Sequence, residues 1–80
     1  MNSIYSEIRI DFYDEEDRVF TVDAWYTGND NEEGEVIATI DPITKGVKYL
    51  DKRAKNDPYA QEEITLFLAG LNVNISDKEV

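Results

Sequence analysis

Ile4-Tyr5-Ser6-Glu7-Ile8-Arg9-Ile10-Asp11-Phe12 alternates, and past Asp14-Glu15-Glu16-Asp17 comes Val19-Phe20-Thr21-Val22-Asp23-Ala24-Trp25-Tyr26-Thr27. The first stretch has the period of two that sends successive side chains to opposite faces of a strand. The second is rich in β-branched and aromatic residues, which suit a pleated, half-buried surface. Pairing them so that residue numbers sum to 32 sets Phe12 against Phe20, Ile10 against Val22 and Ile8 against Ala24. On the opposite face Tyr13 meets Val19, Arg9 meets Asp23, and Asp14 lies across from Arg18 at the turn. Every pair is like-with-like or opposite in charge, as cross-strand energetics favour. A slip of one residue would put Ile8 against Asp23, because it turns over the whole strand. The segment therefore reads as an antiparallel hairpin with its loop around Glu15–Asp17.

The rest of the chain extends this hairpin. Thr27–Gly34 is a polar loop bounded by two glycines. Glu35–Ile40 reads as a third strand with Val36, Ala38 and Ile40 inward. Asp41-Pro42-Ile43-Thr44-Lys45-Gly46 has turn chemistry, and Val47–Leu50 reads as a fourth strand with Val47 and Tyr49 inward. After the link Lys52–Asn56, Asp57 is suited to cap a helix and Pro58 to occupy its first position. Ala60, Ile64, Phe67, Leu68 and Leu71 then form one apolar helical stripe. Gly70 is placed to close the helix, which leaves Leu71, Val73 and Ile75 to form a short fifth strand. The order ββββα predicts an α+β domain over residues 1–76, with 77–80 a disordered tail. Its antiparallel sheet of four or five strands carries one helix on one face. A single helix covers one face, so the other meets water or a partner.

Composition narrows the chemistry. The 80 residues contain no cysteine and no histidine, and 18 acidic side chains stand against 8 basic ones. These absences exclude a Cys nucleophile, a Ser–His pair and a Cys/His zinc site. A glycosidase-like pair such as Asp11 with Asp23, or Glu7 with Glu35, would lie on a flat sheet and not in a cleft. The expectation is a non-enzymatic protein with no cofactor. The segment Asn29-Asp30-Asn31-Glu32-Glu33-Gly34 faintly resembles a calcium loop, but Ile40 stands where the bidentate Glu belongs. Met1–Glu7 has neither the basic nor the apolar region of a signal peptide, and no apolar run is long enough to span a bilayer. A cytoplasmic setting is expected.

The charge is segregated. Residues 1–41 hold twelve carboxylates against Arg9 and Arg18, a balance of −10, whereas residues 42–80 balance to zero. Within the neutral part, Lys45, Lys48, Lys52, Arg53 and Lys55 are interrupted by one acid, Asp51. A chain this acidic is repelled by nucleic-acid phosphates and anionic membranes, so direct binding to either is not expected. On the uncovered face the hairpin register predicts Tyr5, Glu7, Asp11, Tyr13, Asp23, Trp25, Glu35 and Ile37 as the partner-binding residues. Aromatic and apolar groups rimmed by charge mark an interaction surface. The expected function is a protein-binding module or assembly subunit whose acids steer a basic protein partner or a second copy of the chain. The alternatives are an inhibitor that mimics nucleic acid, of the sort phages and mobile elements encode, and a structural homodimer.

Overall fold

The computed structural model describes residues 3–28 and 33–79, with side chains described as far as Leu71. Four antiparallel strands, β1 (Tyr5–Asp14), β2 (Val19–Tyr26), β3 (Glu35–Ile40) and β4 (Val47–Tyr49), pair in chain order. A 3-10 turn over Lys52–Asn56 leads into the single helix α1 (Pro58–Glu79), which packs on one face of the sheet. The α+β architecture read from the sequence is thus the architecture of the protein.

The helix starts where the sequence places it. Asp57 Oδ1 accepts from the backbone N–H groups of Tyr59 and Ala60 at 3.0 and 3.1 Å, satisfying two donors that a helix start leaves open. Ala60 and Ile64 are buried, with Phe67 and Leu68 packed beside them. The helix does not stop at Gly70. That residue has no positive φ, and one helical glycine costs only about 1 kcal/mol relative to alanine, too little to end a helix with no proline behind it. Leu71–Ile75 is therefore helical, and there is no fifth strand among the described residues. Residues 77–79, expected in a disordered tail, are the last residues of α1, and Val80 lies outside the described residues.

The two hairpin turns are built alike. In the first, Asp14 Oδ1 accepts from Glu16 and Asp17 N–H, and Arg18 N–H donates to the Asp14 carbonyl at 2.7 Å. In the second, Asp41 Oδ1 accepts from Ile43 and Thr44 N–H, and Lys45 N–H donates to the Asp41 carbonyl at 2.7 Å. Each turn closes on a basic residue in the left-handed region, Arg18 at φ 59° and Lys45 at φ 64°.

The register agrees with the expected one only at the centre of the first hairpin, where Glu7 faces Trp25, Ile8 faces Ala24 and Arg9 faces Asp23. Three irregularities displace the rest. One between Tyr5 and Glu7 turns Tyr5 onto the helix side, opposite Tyr26, where it is buried. A second, between Arg9 and Phe12, sets Phe12 against Thr21 and Tyr13 against Phe20. Phe12 thereby leaves the core and is 57% exposed. Tyr13 takes its place at the sheet corner, where the ring packs on Phe20 and Phe20 in turn meets Phe67, each pair of centroids 4.9 Å apart. The third irregularity lies between Val22 and Asp23, where β3 carries one residue too many. Ile37 is brought inside and Val36 is expelled, reversing the expected faces of both. The exchange buries the larger side chain, at about 0.8 kcal/mol per added CH₂. It also frees the Ile37 carbonyl to accept from Leu50 and Asp51 N–H, at 2.8 and 3.1 Å, which fixes the chain as it leaves β4.

Ala24, Ala38, Ala54 and Ala60 are all buried, and their small side chains let the helix and the 3-10 turn approach the sheet closely. At the β1 edge, the Tyr59 hydroxyl accepts from Ile8 N–H at 3.3 Å. One outward-facing donor of an edge strand is thus covered by the helix, which blunts that edge as a template for another strand.

Candidate interaction surface

The sheet face away from α1 is assembled by the observed pairs Glu7–Trp25, Arg9–Asp23, Phe12–Thr21, Thr21–Thr39, Asp23–Val36 and Thr39–Lys48. Directly paired residues share a face, so this surface presents Glu7, Arg9, Phe12, Thr21, Asp23, Trp25, Val36, Thr39 and Lys48. Phe12 is 57% and Val36 38% exposed, and Leu50, just past β4, is 55% exposed.

Trp25, near the end of β2, is held in place on this face. The Arg9 guanidinium lies 5.5 Å from its ring centroid and pairs with the Glu7 carboxylate. The indole also rests against Gly34, where an added Cβ would come within 2.8 Å of Trp25 Cζ2. The ring is therefore half-buried and clamped, and its position depends on the absence of a side chain at 34. Gly34→Ala is expected to displace the indole and cost about 1–3 kcal/mol by overpacking. Since Trp25 is the chain's one tryptophan, its emission spectrum reads the displacement directly. Unchanged emission and stability would refute the clamp.

Asp23 sits half-buried between Arg9 and Val36. Burial pushes its carboxyl above the ordinary carboxylate range, opposed by a Thr21 hydrogen bond and reinforced by the charge of Asp11. Of the eight residues expected to bind a partner, Glu7, Asp23 and Trp25 lie on this face, and exposed Asp11 lies at the β1 irregularity. The other four do not. Tyr5 and Ile37 are core, Tyr13 packs on the helix side, and Glu35 faces Ala24 at the helix-side corner. Phe12 and Val36, which the alternation of the sequence puts inside, take their places. Nothing local marks them, since each belongs to an alternation that the sheet interrupts.

A second cluster closes the helix-side corner. Asp51 Oδ2 accepts from the Tyr5 and Tyr26 hydroxyls at 3.1 and 3.0 Å and from Arg53 Nη2 at 2.9 Å. The Tyr26 hydroxyl, whose single proton is shared between Asp51 and Glu35, also accepts from Arg53 Nη2 at 2.9 Å. The Arg53 guanidinium, with help from both tyrosines, holds the Asp51 carboxyl well below the ordinary range. Burial and the Asp51 carboxylate push the Tyr5 phenol up; Tyr26 is raised chiefly by its bond to Glu35. The cluster ties β1, β2, β3 and the 3-10 turn together, and its donors and acceptors are used within the fold.

Among the described residues no three carboxylates converge to hold a metal ion, and residues 29–32 of the loop that resembles a calcium site lie outside them. Among those residues no helix is long and apolar enough to cross a membrane. No family model, curated protein or solved structure matches the chain.

Proposed function

We propose that this chain is a non-enzymatic protein-binding module, acting in the cytoplasm, that docks through the sheet face α1 leaves uncovered. The observation that carries the reading is the pair of exposed apolar side chains, Phe12 and Val36, on a face rimmed by Glu7, Asp11 and Asp14, with half-buried Asp23 within it. Exposed apolar groups inside a charged rim resemble the core and rim of a docking site, and the half-clamped Trp25 is the residue type that most often anchors one. The acids raise the encounter rate with a basic partner and repel acidic ones.

The test is affinity capture with wild type and with Trp25→Ala and Phe12→Ala, each variant's fold checked by thermal melting. Proteins held by wild type are expected to be lost from both variants. Equal recovery by folded variants would overturn the reading. Adding duplex DNA to the captured complex probes whether the acidic face fills a groove made for nucleic acid. Release of the partner favours mimicry, and retention favours an ordinary docking contact.

A further inference from the structure

We infer that one occupant of the acidic side is a second copy of this chain, engaged head to tail through the basic β4 edge. The inference rests on the reading of the β1 side as a docking surface and adds the identity of what docks there.

Strand order makes the case. β1 and β4 are the two edges of the sheet, roughly 14 Å apart at about 4.8 Å per strand step. The β1 edge and its turn carry Glu7, Asp11, Asp14, Glu15, Glu16 and Asp17. Of the two arginines nearby, Arg9 is held by Glu7 and the Trp25 ring. The far edge and the chain leaving it carry Lys45, Lys48 and Lys52. None of these lysines takes part in the ion pairs among the described residues, which are Arg9–Glu7 and Arg53–Asp51.

Of the carboxylates beside these lysines, Asp51 is paired with Arg53, and Asp41, which accepts only neutral N–H donors, keeps its charge. Three lysines then stand against one uncompensated acid, so the β4 edge is net basic opposite the acidic β1 edge. Each edge also offers an apolar anchor among charges of one sign. Phe12 lies between Asp11 and Asp14, and Leu50 lies between Lys48 and Lys52, while Ile43, 85% exposed, lies on the turn at the other end of β4.

The two surfaces are different, so the contact is heterologous. Each copy keeps one edge free, and the product is an open chain or a closed ring, not a two-fold dimer. Two copies at −10 repel one another at long range. At physiological ionic strength that repulsion is screened beyond about 8 Å, far less than the 45 Å length of the molecule. Charges at the contact then decide the outcome. Association is therefore greatest at intermediate salt, weakened by net repulsion below it and by screening of the contact above it.

Sedimentation velocity tests this with the full chain. Wild type is expected to give species that grow with concentration at intermediate salt. One variant neutralises the acidic edge (D11N, E15Q and E16Q) and another the basic edge (K48Q and K52Q). These exposed side chains make no hydrogen bond that holds the fold together, so both variants should melt like wild type. Each alone is expected to associate roughly tenfold more weakly. Mixed in equal amounts, they retain one intact acidic edge and one intact basic edge, so association resumes and stops at two chains. A wild type that stays monomeric at every concentration and salt would overturn the inference. So would association that either variant retains in full, or a mixture that does not pair. A monomer that still loses its captured proteins on Trp25→Ala leaves the broader reading standing, so the two failures are distinguishable.

Discussion

Ile37→Ala is expected to lower the unfolding free energy by about 3 kcal/mol, within the 2–5 kcal/mol that truncating a buried isoleucine costs. An 80-residue domain has in total roughly 4–12 kcal/mol, so the variant loses a large part of its stability. Ile37 is fully buried in the core cluster that also holds Val22, Ala38 and Ile40, and the substitution removes three carbons from it. Its neighbour Val36 is 38% exposed on the opposite face, so Val36→Ala is expected to cost no more than about 0.5 kcal/mol. Uninterrupted alternation along β3 predicts the reverse ranking. Urea denaturation of the two variants decides between them, and equal losses would count against the third irregularity.

Asp57→Ala is expected to cost about 2–4 kcal/mol. The carboxylate is 6% exposed and joins three segments. It caps α1 through Tyr59 and Ala60 N–H, accepts Ser3 Oγ–H at 2.7 Å, and accepts Ile4 N–H at 3.1 Å. Losing a helix cap costs about 1 kcal/mol, and leaving a buried donor without its acceptor costs about 1–3 kcal/mol more. Asp57→Asn keeps one acceptor oxygen for the helix N–H groups but presents an amide to Ile4, and should fall between wild type and alanine. Acid titration separates the two effects. Burial pushes the Asp57 carboxyl up, but its bonds from Ser3, Ala60, Ile4 and Tyr59 outweigh that and hold it below the ordinary value. Asp51 is lowered as well. A lowered carboxylate contributes stability above its unfolded value of about 3.9. That contribution is lost as the pH falls through the folded value. The Asn variant, with one such group removed, should lose stability less steeply below about pH 4. Parallel acid limbs would show that Asp57 carries no charge-dependent stability.

The features legible in the sequence are those encoded locally. Asp57-Pro58 is a helix start whatever surrounds it, and the Ala60–Leu68 stripe needs a buried face that any sheet would supply. The pairing of Ile8 with Ala24 is legible because a one-residue slip there would bury Asp23. The irregularities at Ser6, at Ile10–Asp11 and at Ile37 answer to tertiary demands. They serve an aromatic corner against Phe67 and an isoleucine carbonyl wanted by Leu50 and Asp51. No window of β1 or β3 contains those partners. The same cause separates the candidate surface into its legible and illegible parts. Glu7, Asp23 and Trp25 lie in the stretch where the register is regular, whereas Phe12, Tyr13, Val36 and Ile37 lie at or beyond an irregularity. Gly70 is a different case, since whether a glycine ends a helix depends on the residues beyond it.

The bond from Ser3 and Ile4 to Asp57 spans 53–54 residues, whereas each strand pairs with its neighbour in the chain. Closing a long loop costs more entropy than closing a short one, so the hairpins are expected to form first and the N-terminal strap last. An interaction made after the rate-limiting barrier governs escape from the native state and leaves the rate of reaching it nearly untouched. In stopped-flow experiments Asp57→Ala should therefore move the unfolding arm and spare the refolding arm. Ser3 and Asp57 together would then act as a latch on the lifetime of the folded molecule, set by two residues at opposite ends of the sheet sequence.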